Sequence, residues 1–217
     1  FEWIKKAAEF GYPKAQSDLG YLYANGKGVA KDEAEAVKWY RKAAEKGYME
    51  AQYALGYAYE KGKGVKSDDA EAAWWYESAA IQGNVMAQYL LGNMYESGRG
   101  VEKDMTEAFQ WYKKAADQGH PDAQFVTGTY YMSGQGIDKN EVLGVEWFHK
   151  AAEKGHAMAQ YSLANAFRTG QGVAKDDKQA LKWYRKAAKN GPKGLVNEAI
   201  IKELTESLEK EKQKAGE

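Results

Sequence analysis

The sequence predicts an all-α protein, an α/α superhelical solenoid of helix–turn–helix repeats. Three observations predict it: a 36-residue period, apolar residues at helical spacing within each period, and glycines where the helices should end. A fixed period of about 20–50 residues is typical of stacked supersecondary units. The period is clearest in six tryptophans, each 36 residues from the next, namely Trp3, Trp39, Trp75, Trp111, Trp147 and Trp183.

The first helix of each repeat is illustrated by "PKAQSDLGYLYANG", residues 13–26. Its small and apolar residues Ala15, Leu19, Gly20 and Tyr23 lie at positions i, i+4, i+5 and i+8, which places them on one helical face. Gly20 lies on that face, and because glycine has no side chain we expect the second helix to approach closely there. The helix should end near Gly26, since glycine adopts a positive φ at no steric cost.

The second helix is illustrated by "AEAVKWYRKAAEKG", residues 34–47. Asp32 precedes it as a predicted N-cap, and Glu35 three residues later predicts a capping box. Gly47 is the predicted C-cap. The same pairing recurs as Asp68–Glu71, Asp104–Glu107 and Asp176–Gln179, whereas Asn140–Leu143 keeps the cap and loses the answering acid.

Repetition is the way in which this chain builds a core. A single helical hairpin cannot bury its own apolar face, so each neighbour supplies the opposite wall. The pattern of one large tryptophan ring among alanines predicts that the tryptophans lie at these interfaces. Truncation of one buried tryptophan to alanine would then cost about 3–5 kcal/mol.

The repeats divide the chain into three segments. Residues 1–11 read as the second helix of a truncated repeat, so we expect the chain to start inside a repeat of a longer protein. Residues 12–191 hold five complete repeats. Residues 192–217 lose the pattern and predict a C-terminal capping helix with a polar tail, since terminal repeats need a polar outer face.

The repeat motif resembles that of a known family. The register A-x-x-x-L-G-x-x-Y-x-x-G-x-G-V, followed by D-x-x-x-A-x-x-W-Y-x-K-A-A-x-x-G, is similar to the Sel-one-like repeat (SLR) family, which is related to tetratricopeptide repeats. The resemblance covers residues 1 to about 191, with conservative departures at Thr127, Ala164 and Phe167. It implies an adaptor or scaffold role, mostly in bacterial signalling, envelope and host-interaction systems and in eukaryotic degradation complexes. For a bacterial member, it is compatible with a periplasmic or secreted location.

Charge and composition exclude several classes of partner. Lys and Arg number 31, as do Asp and Glu, so there is no basic excess to attract nucleic acid. The sequence has no run of 18 apolar residues, so no membrane-spanning helix is predicted. The chain has no cysteine, which removes disulfides and thiolate chemistry. We expect a monomer, although the sequence leaves the oligomeric state open.

Motifs for chemistry are weak. His120, His149 and His156 lack the spacing of metal ligands. The G-x-G pairs recur with the repeat and lack the preceding strand of a phosphate-binding loop, so they are predicted to be turn glycines. We therefore predict no catalytic residue, no metal and no cofactor, and a protein that is not an enzyme.

The candidate site is a surface. By analogy with tetratricopeptide geometry, the first helices line a concave groove, and three positions on each of them face it. Exposed aromatic rows mark binding surfaces, and the amides of Asn93 and Asn165 can both donate to and accept from a peptide backbone. An alternative reading is that the rings are half-buried between neighbouring first helices, and both readings can hold for one ring. The predicted partner-binding residues are Tyr21, Tyr53, Tyr57, Tyr89, Asn93, Phe125, Thr129, Tyr161, Asn165 and Arg168.

The preferred function is a non-enzymatic protein–protein interaction scaffold that binds a partner segment in this groove. The alternative is a glycan or cell-wall binding module that uses the same aromatic groove, because sugar rings also stack on tyrosine. A hydrolase is a third hypothesis, for which the sequence nominates no catalytic residue.

Overall fold

The structure is a computed structural model that describes residues 1–215, so the last two residues of the predicted polar tail, 216–217, lie outside the described residues. Over residues 1–215 it contains twelve α-helices and no strand, and the predicted all-α solenoid is confirmed. None of these helices combines the length and apolarity needed to cross a bilayer. The helices are α1 Glu2–Glu9, α2 Pro13–Asn25, α3 Glu33–Ala44, α4 Met49–Lys61, α5 Asp69–Ile81, α6 Val85–Ser97, α7 Met105–Asp117, α8 Pro121–Ser133, α9 Glu141–Glu153, α10 Ala157–Thr169, α11 Asp177–Asn190 and α12 Glu198–Ala215.

The chain divides into two compact units within α7. Unit 1 is Phe1–Trp111 and unit 2 begins at Tyr112. In unit 1 each first helix packs on its second helix, α2 on α3 and α4 on α5, and each second helix packs on the next first helix, α3 on α4 and α5 on α6. Unit 2 repeats this order, with α8 on α9, α9 on α10 and α10 on α11. Stacking of sequence neighbours is therefore the source of the core.

The motif glycine of α2, α4 and α8 is a point of close approach, as predicted. A Cβ atom added at Gly56 would lie 2.7 Å from the ring of Tyr76, and one added at Gly128 would lie 2.7 Å from the ring of Phe148. These distances are shorter than a van der Waals contact, so the aromatic ring of the second helix occupies the space that a side chain would need.

The turn between the two helices is closed by backbone groups. Asp32 caps α3 as predicted, because its carboxylate accepts from the Glu35 N–H at 2.9 Å. The predicted capping box is wrong: the Asp32 N–H donates to the Tyr23 carbonyl at 2.9 Å, and Glu35 pairs with Lys38 instead. The same backbone bond joins Asp68 to Tyr59 and Asp176 to Phe167. The acid at the third position is therefore not needed to satisfy the cap N–H.

The second helix α3 ends earlier than the sequence predicted. The cap residue of α3 is Glu45 rather than Gly47. Gly47, with φ 82°, lies in the turn beyond it, where its N–H donates to the Ala44 carbonyl at 2.9 Å. Glycine is still required at this position, but it shapes the connection to the next repeat rather than the helix end.

A buried glutamine joins each first helix to the helix before it. Gln52 Nε2 donates at 3.3 Å to the Ala44 carbonyl at the end of α3, which also accepts from the Gly47 N–H. The corresponding bonds run from Gln16 to Ala8, from Gln88 to Ala80, from Gln124 to Ala116 and from Gln160 to Ala152.

The tryptophan row lies at the packing interfaces with one exception. Trp39, Trp75, Trp111, Trp147 and Trp183 are buried, whereas Trp3 is 84% exposed. Lys113 of α7 lies over the Trp147 ring of α9 at 5.1 Å, so α7 helps to cover the tryptophan of α9. Trp3 lies on α1, where Lys6 of the same helix lies over its ring at 5.3 Å. The prediction of an interface position is therefore wrong for Trp3.

The last helix completes the core of unit 2. Leu204 of α12 and Val196 just before it are buried in the same cluster as Leu181 and Trp183 of α11. Ile200 and Ile201 are partly buried against this cluster.

Candidate partner-binding groove

The ten predicted site residues all lie on first helices. In unit 1, α2 carries Tyr21, α4 carries Tyr53 and Tyr57, and α6 carries Tyr89 and Asn93. In unit 2, α8 carries Phe125 and Thr129, and α10 carries Tyr161, Asn165 and Arg168.

The aromatic row packs against rings of the second helix in its own repeat. The Tyr53 and Tyr76 ring centroids are 5.9 Å apart, and those of Tyr161 and Tyr184 are 5.8 Å apart. Phe125 stacks on Phe148 at 5.6 Å. Tyr53, Phe125 and Tyr161 are each half-buried, so one part of the ring contributes to the hairpin and the rest remains accessible.

Tyr21 and Tyr57 are the most open rings among the predicted residues. They are 48% and 36% exposed. The turn that follows each helix supplies a lysine to each phenol: Lys27 Nζ donates to Tyr21 Oη at 2.8 Å, and Lys63 Nζ donates to Tyr57 Oη at 3.4 Å. Both ammonium groups also lie over the rings, at 4.7 and 5.0 Å from the centroids. These cation–π contacts hold each ring in one orientation.

The polar members of the set already make bonds within the protein. Asn93 Nδ2 donates to the Tyr89 carbonyl at 3.1 Å, and Thr129 Oγ1 donates to the Phe125 carbonyl at 3.1 Å. Asn165 Oδ1 accepts from the Tyr184 hydroxyl. Arg168 pairs with Glu203 of α12 at 3.6 Å.

A cluster of hydrogen-bonded and charged side chains joins α4, α5 and the turn after α6. The Tyr76 hydroxyl donates to Glu60 Oε2 at 2.7 Å, and Arg99 donates to Glu60 Oε1 at 3.1 Å. Burial acts to raise the pKa of the Glu60 carboxyl, but hydrogen bonds from Lys61, Tyr76 and Arg99 outweigh it and lower the pKa below 4.5. Burial, followed by the bond to Glu60, raises the pKa of Tyr76. Glu60 is therefore a buried anion, and Tyr76 is a neutral donor.

Unit 1 also contains an open cavity of 580 Å³ between α2, α3 and α4, which we call the slot. Its floor is small and apolar, and its walls are aromatic. Burial raises the pKa of Tyr40 to about 12, so this wall is a neutral phenol. The floor contains Ala36, Val37 and Ala58, and the walls contain Tyr21, Tyr40, Tyr53 and Tyr57.

The sequence predicted three of the four slot rings and missed Tyr40. Tyr40 lies on a second helix, which the prediction had assigned entirely to packing. A signal for it exists in the sequence: the residues at positions 17 and 24 are Ser17 and Ala24, whereas the next repeat has Tyr53 and Glu60. The smaller residues leave the Tyr40 ring accessible.

Two of the histidines have structural roles. His120 and His156 are the N-caps of α8 and α10, where Nδ1 accepts from the N–H of Ala123 at 3.3 Å and of Ala159 at 3.1 Å. His156 Nε2 also lies 3.1 Å from Asp122. Within residues 1–215, no three His, Asp or Glu side chains converge as a metal site would require.

Comparison with known families identifies the repeat. The Sel1 repeat model matches residues 13–48, 50–84, 85–120, 121–156 and 157–192. The chain belongs to the Sel1 repeat family. Sel1 repeats are generally protein–protein interaction modules and are typically non-enzymatic. No curated protein sequence matches the chain.

Solved Sel1 structures share the fold. A protective antigen with an SLR fold from uropathogenic Escherichia coli is 40% identical with a TM-score of 0.85, over 88% of this chain and 41% of that one. The chain therefore spans about two fifths of the length of that antigen. A Sel1 repeat protein from Oxalobacter formigenes is 40% identical with a TM-score of 0.76, over 83% and 72% of the two chains. A Klebsiella pneumoniae protein at 20% identity and a TM-score of 0.51 supports the fold alone.

Proposed function

We propose that this Sel1 repeat protein is a non-enzymatic scaffold that binds a segment of a partner protein on the groove face of its first helices. The observation that carries the proposal is the slot, an open cavity of 580 Å³ with an apolar floor and four tyrosine walls. Apolar clefts rimmed by a few polar groups are the usual form of a recognition site.

The exposed tyrosines are proposed as the main anchors. Tyr21 and Tyr57 present rigid rings that lysines already orient, so little side-chain entropy is lost when a partner covers them. Tyrosine is enriched among the residues that dominate binding energy in interfaces. We propose half-buried Tyr53 as a side wall of the same site.

The remaining predicted residues are proposed as contacts along the same face of their own unit. In unit 1 these are Tyr89 and Asn93. In unit 2, Phe125 and Tyr161 offer the accessible part of half-buried rings, and Thr129, Asn165 and Arg168 offer polar groups at the same helix face. We also propose that α12 caps the end of the repeat array, because its apolar residues join the core while its other face is charged.

The experiment compares two variants in quantitative capture of partner proteins from the source organism. Tyr21→Ala combined with Tyr57→Ala removes both exposed anchors. Trp74→Ala removes an exposed ring of α5 that lies outside the slot and serves as the matched control. We expect the tyrosine pair to lower capture of the main partner at least tenfold, with unchanged circular dichroism and melting temperature, and the control to bind normally.

Two results would contradict this function. Capture that is unchanged in the tyrosine double variant removes the groove as the binding site. Saturable binding to a glycan array that the same double variant abolishes, in the absence of any captured protein, would instead support the glycan-binding alternative.

A further inference from the structure

The second-helix ring of a repeat is normally covered from its own first helix. In unit 1, Tyr76 is fully buried: Tyr53 packs on its ring, and Glu60 accepts from its hydroxyl. In unit 2, Tyr184 is fully buried under Tyr161, and Asn165 accepts from its hydroxyl. A ring on the first helix is thus a standard part of the hairpin.

The first complete repeat lacks this cover. Its second-helix ring is Tyr40, and the residues corresponding to Tyr53 and Glu60 are Ser17 and Ala24. Tyr40 is left partly exposed, and its hydroxyl makes no hydrogen bond within residues 1–215. Ser17, Ala24 and Tyr40 all line the slot, so the slot opens where the covering side chains are short.

We propose that the slot receives an aromatic side chain of the partner, which packs on Tyr40 in the position that Tyr53 takes on Tyr76. This inference rests on the proposed function and specifies its ligand. The geometry of such a pair is already present in the other hairpins, with centroid separations of 5.6–5.9 Å. Offset and edge-to-face ring pairs at these distances are favourable.

The charged residues around the slot indicate which residues of the partner segment flank the inserted aromatic side chain. Asp18 and Glu50 line the slot, are exposed and form no ion pair within residues 1–215. Lys31 pairs with Glu33 at 2.7 Å, and Lys63 lies over the Tyr57 ring. The three carboxylates Asp18, Glu33 and Glu50 outnumber these two lysines, so the lining of the slot carries a net charge of −1.

Charge complementarity then favours a cationic partner segment. In an extended segment, successive side chains point to opposite faces, so residues next to the inserted ring can reach the rim. The occupant is an extended segment in which a Phe, Tyr or Trp side chain is flanked by Lys or Arg.

The probe is a blocked pentapeptide of sequence Gly-Lys-Phe-Lys-Gly, titrated into the isotopically labelled chain and followed by amide NMR shifts. We expect saturable shifts confined to α2, α3 and α4, and at least fivefold weaker binding when Phe is replaced by Leu or both Lys by Glu. Ser17→Tyr restores the residue type of the next repeat and should abolish binding. Ser207→Tyr, at an exposed position of α12, should bind normally.

Two variants keep the test independent of folding. If Ser17→Tyr does not fold, Ser17→Leu fills the same position beside Tyr40 with a smaller, uncharged side chain and should weaken binding of the peptide at least fivefold. Folded Ser17→Tyr that binds the peptide with unchanged affinity overturns the proposal, as does a titration without saturable shifts in the wild-type chain.

The outcome for the aromatic slot is separable from that for the scaffold function. Partner capture that survives Ser17→Tyr and is lost in the Tyr21→Ala, Tyr57→Ala variant refutes only the aromatic occupant. Capture that survives both variants refutes the proposed function itself.

Discussion

A Cβ atom added at Gly64 would lie 2.0 Å from the carbonyl oxygen of Glu33, which belongs to the second helix of the preceding repeat. The second glycine of the turn is therefore a contact between repeats as well as a turn residue. The same approach brings Gly100 against Asp69 and Gly172 against Glu141, at 2.1 and 2.3 Å.

Gly64→Ala and Gly62→Ala separate the cost of this contact from the cost of the backbone conformation. Both glycines have a positive φ, 69° and 63°, so both variants lose about 1–2 kcal/mol to left-handed strain. A Cβ atom at Gly62 meets nothing closer than 3.6 Å. We expect Gly64→Ala to lose a further 1–3 kcal/mol, about the usual cost of overpacking, in urea unfolding. Equal losses in the two variants would show that the loop moves away from α3 without cost.

Two adjacent tryptophans make a second matched pair. Trp75 is 4% exposed, whereas Trp74 is 57% exposed and meets the Trp75 ring edge-on at 4.3 Å. We expect Trp75→Ala to lower the free energy of unfolding by about 3–5 kcal/mol. Trp74→Ala should lower it by about 1 kcal/mol, the worth of one aromatic contact. Melting followed by circular dichroism measures both, and the reverse order would mean that Trp74 rather than Trp75 holds the helices together.

Most of the fold could be predicted because each helix carries its own start and stop signals. Gly26 ends α2 in the left-handed conformation, with φ 66°, and Asp32 caps α3, as their positions in the repeat predicted. The end of α3 was misplaced because Gly47 is needed two residues beyond the cap, where the chain turns into the next repeat. A glycine in the sequence predicts a positive φ at that position, but it does not predict how many residues separate it from the end of the helix.

The slot was harder to predict because it depends on what is missing. Tyr40 has the sequence of a packing residue, and only the short side chains of Ser17 and Ala24 leave it accessible. The repeat motif shows which positions keep their residue type. It does not show the size of a cavity, which depends on the side-chain volumes of two helices together. The half-burial of Tyr53 and Phe125 depends in the same way on rings of the second helix.

His120 predicts a loss of stability in weak acid. As the N-cap of α8 it accepts the Ala123 N–H through Nδ1, which requires a neutral ring at that nitrogen. Burial lowers the pKa of His120 below 6.5, a shift that Asp122 opposes and Lys154 reinforces. The unfolded chain therefore takes up the proton first, so the free energy of unfolding falls as the pH falls below about 6.5.

The control for this prediction is His120→Asn, which keeps an N-cap acceptor without a titrating group. We expect the wild type to lose about 1 kcal/mol more than the variant between neutral and weakly acidic pH, the usual worth of an N-cap. The other two histidines, His149 and His156, are present in both proteins, so their contributions cancel in the difference. Parallel stability profiles for the two proteins would show that the cap survives protonation.

Glu60 predicts a loss of stability in a more acidic range than His120, because the fold stabilises the charged form of its carboxyl. Its carboxylate accepts hydrogen bonds from Tyr76 and Arg99, and in the folded protein its pKa is lower than the usual value of 4.5. The stability that these bonds contribute is complete above pH 4.5 and is lost as the pH falls through the lowered pKa.

Glu60→Gln keeps an acceptor for Tyr76 but loses the charge, so it should cost about 1–2 kcal/mol of unfolding free energy at neutral pH. Because protonated Glu60 is also neutral, the wild type and the variant should converge in acid, whereas exposed Glu50→Gln should follow the wild type throughout. Melting temperatures measured from neutral pH down to pH ~3 test this, and a gap that stays constant would mean that Glu60 acts through its shape and not through its charge.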